Sequence, residues 1–210
     1  MPLLTPAFFQ RDVLAVARDL VGVELIWRGC GGRIVETEAY AAQGDPACHL
    51  VTRPSARSFF ADEPAGAAYV YLNYGMHWML NFQVKGGPRD GLILIRAIEP
   101  LTGLEAMRER RKQGLPRHLC SGPGKLAQAL GITGEDHRTR MVGRGRAAHS
   151  ELRTLPRASA WTVVEDVRVG ISEAADFRWR FLAADHPCAS VPWGRVKPHT
   201  PRRRGISRSK

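Results

Sequence analysis

No apolar run in the 210-residue chain approaches the roughly 20 residues that a membrane-spanning helix needs. The opening stretch, MPLLTPAFFQRD, lacks the basic-then-apolar order of a secretory signal, so an intracellular location is expected: cytoplasm or nucleoid in a bacterium, nucleus in a eukaryote. Cys30, Cys48, Cys120 and Cys188 form no Cys-x-x-Cys and have no His-rich spacing beside them. Redox and zinc motifs are therefore not indicated, no metal is expected, and an intracellular chain of this size does not need disulfides. The Gly-x-x-x-x-Gly-Lys-Ser/Thr spacing of a nucleotide-binding loop is missing too. Acidic residues are scarce, 20 against 31 basic ones, and the resulting charge of +11 favours a polyanionic partner. From Arg195 to Lys210 there is no acidic residue and there are seven basic ones, Arg195, Lys197, Arg202, Arg203, Arg204, Arg208 and Lys210. That stretch reads as a disordered arm attracted to phosphates regardless of sequence, leaving residues 1–194 as one domain without internal repeats.

Within that domain Thr5 and Pro6 open a helix whose Phe9, Val13, Val16 and Leu20 share a face. Val23–Trp27 and Ile34–Tyr40 read as strands joined by the turn-rich RGCGGR. Ala67–Asn73 and Met76–Val84 alternate on either side of an Asn-Tyr-Gly turn, a hairpin with an aromatic at its tip, and Gly91–Ile98 is an apolar run broken only by Arg96. A capping box, Thr102-Gly-Leu-Glu105, predicts a helix ending at Gly114, and a short helix follows SGPGK and stops at Gly131. Residues 134–159, rich in Gly, Arg and Pro, carry the least pattern, and strands over Trp161–Ile171 and Arg178–Ala183 close the domain. The mixture predicts an α+β fold with a curved, mainly antiparallel sheet, flanking helices and a protruding β-hairpin.

Three stretches carry chemistry. At strand period two, Glu36, Glu38 and Tyr40 face one way and Val35, Thr37 and Ala39 the other. Two carboxylates so close repel unless a counter-charge holds one or the chemistry uses one. A carboxylate in a pocket can activate water against a sugar C1′ and stabilise the oxocarbenium-like transition state, whereas a solvated strand face is the bland alternative. Tyr74, at a hairpin tip with no core to bury it, suits a wedge between base pairs, while Trp78 and Phe82 suit hairpin packing. Cys120-Ser-Gly-Pro-Gly-Lys125 offers small residues and a cation at a helix start, either a phosphate site or an ordinary helix entry.

Together these residues resemble the alkyladenine (3-methyladenine) DNA glycosylases of the single-domain α+β type. The matching stretches are Glu-Thr-Glu-Ala-Tyr at 36–40, His49, Tyr-Val-Tyr-x-x-Tyr-Gly-Met at 69–76, Asn81, Leu-Ile-Arg-Ala-Ile-Glu-Pro around Arg96, Leu-Cys-Ser-Gly-Pro-Gly-Lys-Leu at 119–126 and Arg-Val-Gly-Ile at 168–171. They run in order from about residue 8 to residue 190; in the loop Arg53–Ser58, Ser58 stands where the family carries Asn after Arg. The resemblance implies a monofunctional hydrolase, a monomer that needs no cofactor. It would flip alkylated or deaminated purines (3-methyladenine, hypoxanthine or ethenoadenine) out of double-stranded DNA and cut the N-glycosidic bond to start base excision repair. It implies Glu38 as the base that deprotonates water and Arg96 as the residue that helps to hold that water. Tyr40 would stack on one side of the flipped base, His49 and Tyr71 on the other, with Asn81 placed against the amino group of guanine. Tyr74 would intercalate, and Ser121, Gly122, Lys125 and Arg168 would meet the DNA backbone. The residues themselves agree, since neither the Glu38 strand nor the hairpin contains a lysine to form a Schiff base. Two rival readings are a non-catalytic nucleic-acid binder, which would gain nothing from a carboxylate beside phosphates, and a transferase accessory domain, which rests on fold analogy alone.

Overall fold

The computed structural model describes residues 2–153 and 161–196. Its organising element is a 12-residue strand, β2 (Cys30–Ala41), paired along its length with an equally long β5 (Gly91–Thr102). The other edge of β2 is shared: β1 (Glu24–Trp27) takes Cys30–Arg33 and β8 (Arg180–Ala183) takes Glu36–Glu38. Beyond β5 lie β4 (His77–Val84) and β3 (Ala68–Asn73), beyond β1 lies β6 (Ser150–Arg153), and β7 (Val163–Asp166) pairs with β8. All these pairings are antiparallel, and the curled half-barrel sheet with its helices forms the single α+β domain that the residue pattern predicts.

One face of the sheet is closed by α1 (Val13–Leu20), whose Val13, Val16 and Leu20 pack with Phe9, Ile93, Ile95 and Ile98 in the main core. Thr37 fixes this helix further, donating its hydroxyl to the Ala17 carbonyl at 2.8 Å. The expected N-terminal helix is in fact two elements, a 3-10 turn over Pro6–Phe9 and then α1. Asp12 divides them because its carboxylate accepts from the Leu14 and Ala15 amides, a better cap than Thr5, which makes no such bond.

Four further expectations are corrected. The turn in RGCGGR is only Arg28-Gly29, a two-residue hairpin with both residues at positive φ, while Cys30 to Arg33 are strand. The capping box does not form: Thr102 ends β5, and Gly103, at φ 73°, precedes α4 (Leu104–Arg111) without a side-chain cap. Residues 53–58 are not a loop, because Pro54 starts the helix α3 (Pro54–Asp62) directly after the short α2 (His49–Thr52). The strand expected over 161–171 is confined to β7. The helix starting at Pro123 is α6 (Pro123–Leu130), preceded by the short α5 (Pro116–Leu119) and ended by Gly131 at φ 69°, as the glycine predicts. Of the basic arm, 197–210 lie outside the described residues, as do 154–160. All four cysteines are buried and free.

The sheet is not regular where β2 meets β5. Ile34 faces Ile98 and Glu36 faces Ala97, so Val35 is an extra residue on β2; Thr37 faces Ile95, so Arg96 is an extra residue on β5. These paired bulges place neighbours on the same face. Val35 therefore packs with Ala97 and Cys188, away from Ile34 and Ala39 in the main core, and does not share the Thr37 face as strict alternation would require.

Close approach also explains Gly32. A Cβ there would lie 1.8 Å from the Glu99 carbonyl oxygen, a backbone atom that cannot swing aside. Gly32→Ala is expected to lower the unfolding free energy by about 3 kcal/mol, the upper part of the usual range for overpacking. Urea denaturation measures this, and a loss below about 0.5 kcal/mol would show that the strands can separate at no cost.

Candidate active site

One row of register partners crosses five strands: Tyr69 on β3, Asn81 on β4, Leu94 on β5, Glu38 on β2 and Arg180 on β8. Above it lies a cavity of about 350 Å³, whose lining includes Tyr40, His49, Tyr71, Tyr74, Asn81, Leu94, Arg96 and Val169. Six of the residues expected in a site are thus gathered around one space. Glu38 is fully buried immediately behind its wall and bonded to three groups of that wall. Its Oε2 accepts from the Tyr40 hydroxyl at 2.8 Å and from Arg96 Nη1 at 3.3 Å, and its Oε1 accepts from the Val169 amide at 2.7 Å.

Arg96 is itself shared. Its Nε donates to Glu36 Oε1 at 2.8 Å, and its Nη2 reaches the Ser190 hydroxyl at 3.1 Å. Glu36 has further donors in Arg180 Nε, the Ser190 hydroxyl and the Ser190 amide, at 2.8, 2.8 and 2.6 Å. Burial pushes the Glu36 carboxyl up, but the Arg96 and Arg180 guanidiniums and the Ser190 bonds outweigh it and hold the group below the usual carboxylate range. Asp166 completes the cluster on Arg180 at 3.2 Å. With Glu36, Glu38 and Asp166 against Arg96 and Arg180, this buried cluster retains one net negative charge beside the cavity.

The aromatic wall is equally determined. His49 meets Tyr71 edge-on with ring centroids 4.4 Å apart, and its Nδ1 is 3.3 Å from the Tyr69 hydroxyl. Burial and the nearby Arg53 push the imidazole down to about 4, so His49 is neutral near pH 7. Burial raises Tyr69 and takes Tyr71 up to about 12, keeping both as phenols. Burial, and then Glu38, raise the Tyr40 phenol well above its ordinary value, so it remains a donor to that carboxylate. Asn81 is buried with Nδ2 donating to the Tyr69 carbonyl at 3.1 Å, which leaves Oδ1 as the other end of the amide.

Tyr74 is 81% exposed, at φ 50° in the turn between β3 and β4, with Met76 also exposed beside it. Ser121, Gly122 and Lys125 lie at the start of α6, where Pro123 lines the cavity and Lys125 is exposed. Arg168 is the exception. Its side chain is completely buried, paired with Asp45 through Nη1 at 2.6 Å and Nη2 at 2.9 Å, and donates also to the Ala39 and Ala174 carbonyls. Its guanidinium sits 4.6 Å from the Tyr40 ring centroid. Arg168 thus has no surface to offer a phosphate, and it stacks behind Tyr40 instead.

Sequence reasoning missed Val169, which acts through its backbone, and Asp45, hidden in an ordinary-looking Gly-Asp-Pro turn. It missed Ser190 too, and Tyr69 as the partner of His49. The one available signal was Arg180, a charge opening the apolar strand Arg-Phe-Leu-Ala.

Comparison with known proteins places this arrangement in a class, the DNA glycosylases, hydrolases that act on N-glycosyl bonds. Residues 7–187 match the family model described as methylpurine-DNA glycosylase (MPG), and the chain belongs to that family. A protein of Rhodopseudomonas palustris is 45% identical over 194 residues, covering 92% of this chain and 91% of its own. One of Agrobacterium fabrum is 46% identical over 180 residues, covering 86% and 88%. Both bear the name "Putative 3-methyladenine DNA glycosylase".

The His49 environment is directly measurable. An NMR titration of the ring should show a midpoint of about 4, displaced from the 6.5 of an unperturbed histidine. The unfolded chain then binds this proton more tightly than the folded one. His49 therefore contributes to stability fully above pH 6.5, and the contribution is lost as pH falls from there toward 4. A midpoint near 6.5 would mean that the pocket is wet and open at this wall.

Proposed function

We propose that the protein removes alkylated or deaminated purines from duplex DNA, using Glu38 to activate a water molecule. The observation that carries this is the state of the Glu38 carboxylate. It has room for about four hydrogen bonds, and Tyr40, Arg96 and Val169 supply three. In this reading the remaining position is taken by a water that enters from the cavity past Tyr40 and Arg96. The water oxygen attacks C1′ of the deoxyribose, its proton passes to Glu38, and the electrons of the C1′–N bond leave with the base. The products are a free base and an abasic sugar. A base made cationic by N-alkylation leaves without help, whereas hypoxanthine or ethenoadenine needs a proton or strong hydrogen bonds as it departs. His49, whose neutral ring carries one N–H, would give one such bond. The net negative charge behind the wall favours both a cationic base and the oxocarbenium-like sugar.

In this reading the damaged nucleotide is flipped into the cavity, Tyr40 lies on one side of the base, and His49 and Tyr71 lie on the other. Asn81 Oδ1 and the backbone beside it meet the edge where guanine carries its extra amino group. Tyr74 fills the gap left in the helix, and Ser121, Gly122 and Lys125 contact phosphates beside it. The charge of +11 supports the DNA-binding side of the proposal.

Two substitutions test it. Glu38→Gln keeps lesion-DNA affinity within about tenfold, or 1.4 kcal/mol, while abolishing most base release; single-turnover excision near the wild-type rate refutes Glu38 as the base. Tyr74→Ala leaves stability within about 0.5 kcal/mol, because the ring is exposed. It shifts flipping back toward the stacked state by about 1–3 kcal/mol, less when the lesion sits in a mismatch. A fluorescent base analogue at the lesion reads this directly, and full flipping by the variant removes the wedge.

A further inference from the structure

Glu36 is a fully buried ionised group that the reaction above does not use. Its environment is more elaborate than an ordinary ion pair. Four donors converge on it from three parts of the chain: Arg96 on β5, Arg180 on β8, and both the amide and the hydroxyl of Ser190. The segment around Ser190 is tied down in turn, for Arg180 also donates to the Val191 carbonyl and the Gly194 amide donates to Asp166 at 2.8 Å. Ser190 touches Glu36 and Arg96 at once, and Arg96 touches Glu36 and Glu38 at once.

The geometry points to Glu36 as a positioning residue of the reaction: clamped by Arg180 and Ser190, it holds Arg96 by Nε, so that one edge of the guanidinium reaches Glu38 and its charge is divided between two carboxylates. This rests on the reading of Glu38 as the base. Undivided, the Arg96 charge would fall on Glu38 alone, and a carboxylate so neutralised is a poor acceptor for a proton from water. The bulges at Val35 and Arg96 put the guanidinium where it can span both carboxylates. The other groups facing Glu38 are Tyr40 on its own strand, Tyr71 on β3, Arg180 on β8 and the Val169 amide, with Arg168 behind Tyr40 and Asp166 behind Arg180. Glu36 adds the negative charge that offsets the two arginines nearest the base.

The test is single-turnover release of an N-alkylated, cationic purine from duplex DNA by the full chain, followed across the acid pH range. Departure of that base needs no proton, and His49, which titrates at about 4 in the same pocket, is common to every variant, so a displacement of the acid limb between variants reports Glu38. Glu36→Gln is expected to slow release at neutral pH about tenfold or more and to move the acid limb down by about one pH unit. Affinity for the lesion duplex should stay within about threefold. Ser190→Ala, a milder change that keeps the backbone bond to Glu36, should move the limb in the same direction by less, and Ser190→Thr should restore it. A folded Glu36→Gln protein whose acid limb stays at the wild-type position overturns the proposal, whatever its rate, since a merely structural ion pair would give that result. If Glu36→Gln does not fold, an unmoved limb in Ser190→Ala overturns it equally. Glu38→Gln serves as the reference. Should it retain both rate and limb, the base assignment itself fails, whereas loss of the limb there with no shift in the other variants overturns the Glu36 role alone.

Discussion

A buried guanidinium shared by two carboxylates holds this structure together at the place where its chemistry is proposed. The buried Arg96 guanidinium has Glu36 and Glu38 as its counter-charges, and Glu36 is held in turn by Arg180 and Ser190. Removing one member of such a buried group typically costs about 3–5 kcal/mol, because the survivors are left desolvated and unpaired. The cost explains why so much of the fold converges there. β2 supplies both carboxylates, β5 supplies the arginine out of an apolar strand, and β8 and the Ser190 segment close the far side. The segment that follows β8 is therefore part of the site and not an appendage to it.

How much of this is legible in the amino-acid sequence depends on whether a residue acts through its side chain or through the backbone's path. Glu36, Glu38 and Tyr40 are readable because period-two alternation puts them on one face, and the structure shows all three on the cavity side of β2. Alternation fails one residue earlier, at Val35, because a bulge is a property of two strands in register and leaves no mark on one of them. The helix start at Pro123 and its end at Gly131 are readable for the opposite reason, since both residues act through their own backbone angles. Arg168 shows the limit most plainly. An arginine in a basic, DNA-binding chain invites a phosphate, and only the three-dimensional placement of Asp45, 123 positions earlier in the chain, turns it inward.

The inward turn of Arg168 ties one loop to two residues of β2. Its guanidinium supports the Tyr40 ring, and the next residue, Val169, gives its amide to Glu38. An aromatic ring and a carboxylate are thus set by consecutive residues of one loop, itself pinned through Asp45 to the Ala41 and Ala47 amides. Precision at the pocket comes from such doubly used residues, which cannot shift one wall without shifting the other.

The buried cysteines have a bearing on the conditions in which a methylpurine-DNA glycosylase is needed. Burial drives the Cys48 and Cys120 thiols up to about 12 and Cys188 up to about 11, so at neutral pH these sulfurs are protonated and carry little nucleophilic character. Electrophiles that methylate purines attack thiolates by the same displacement chemistry. Thiols that are protonated and shielded from solvent, as these three are, offer such electrophiles a poor target.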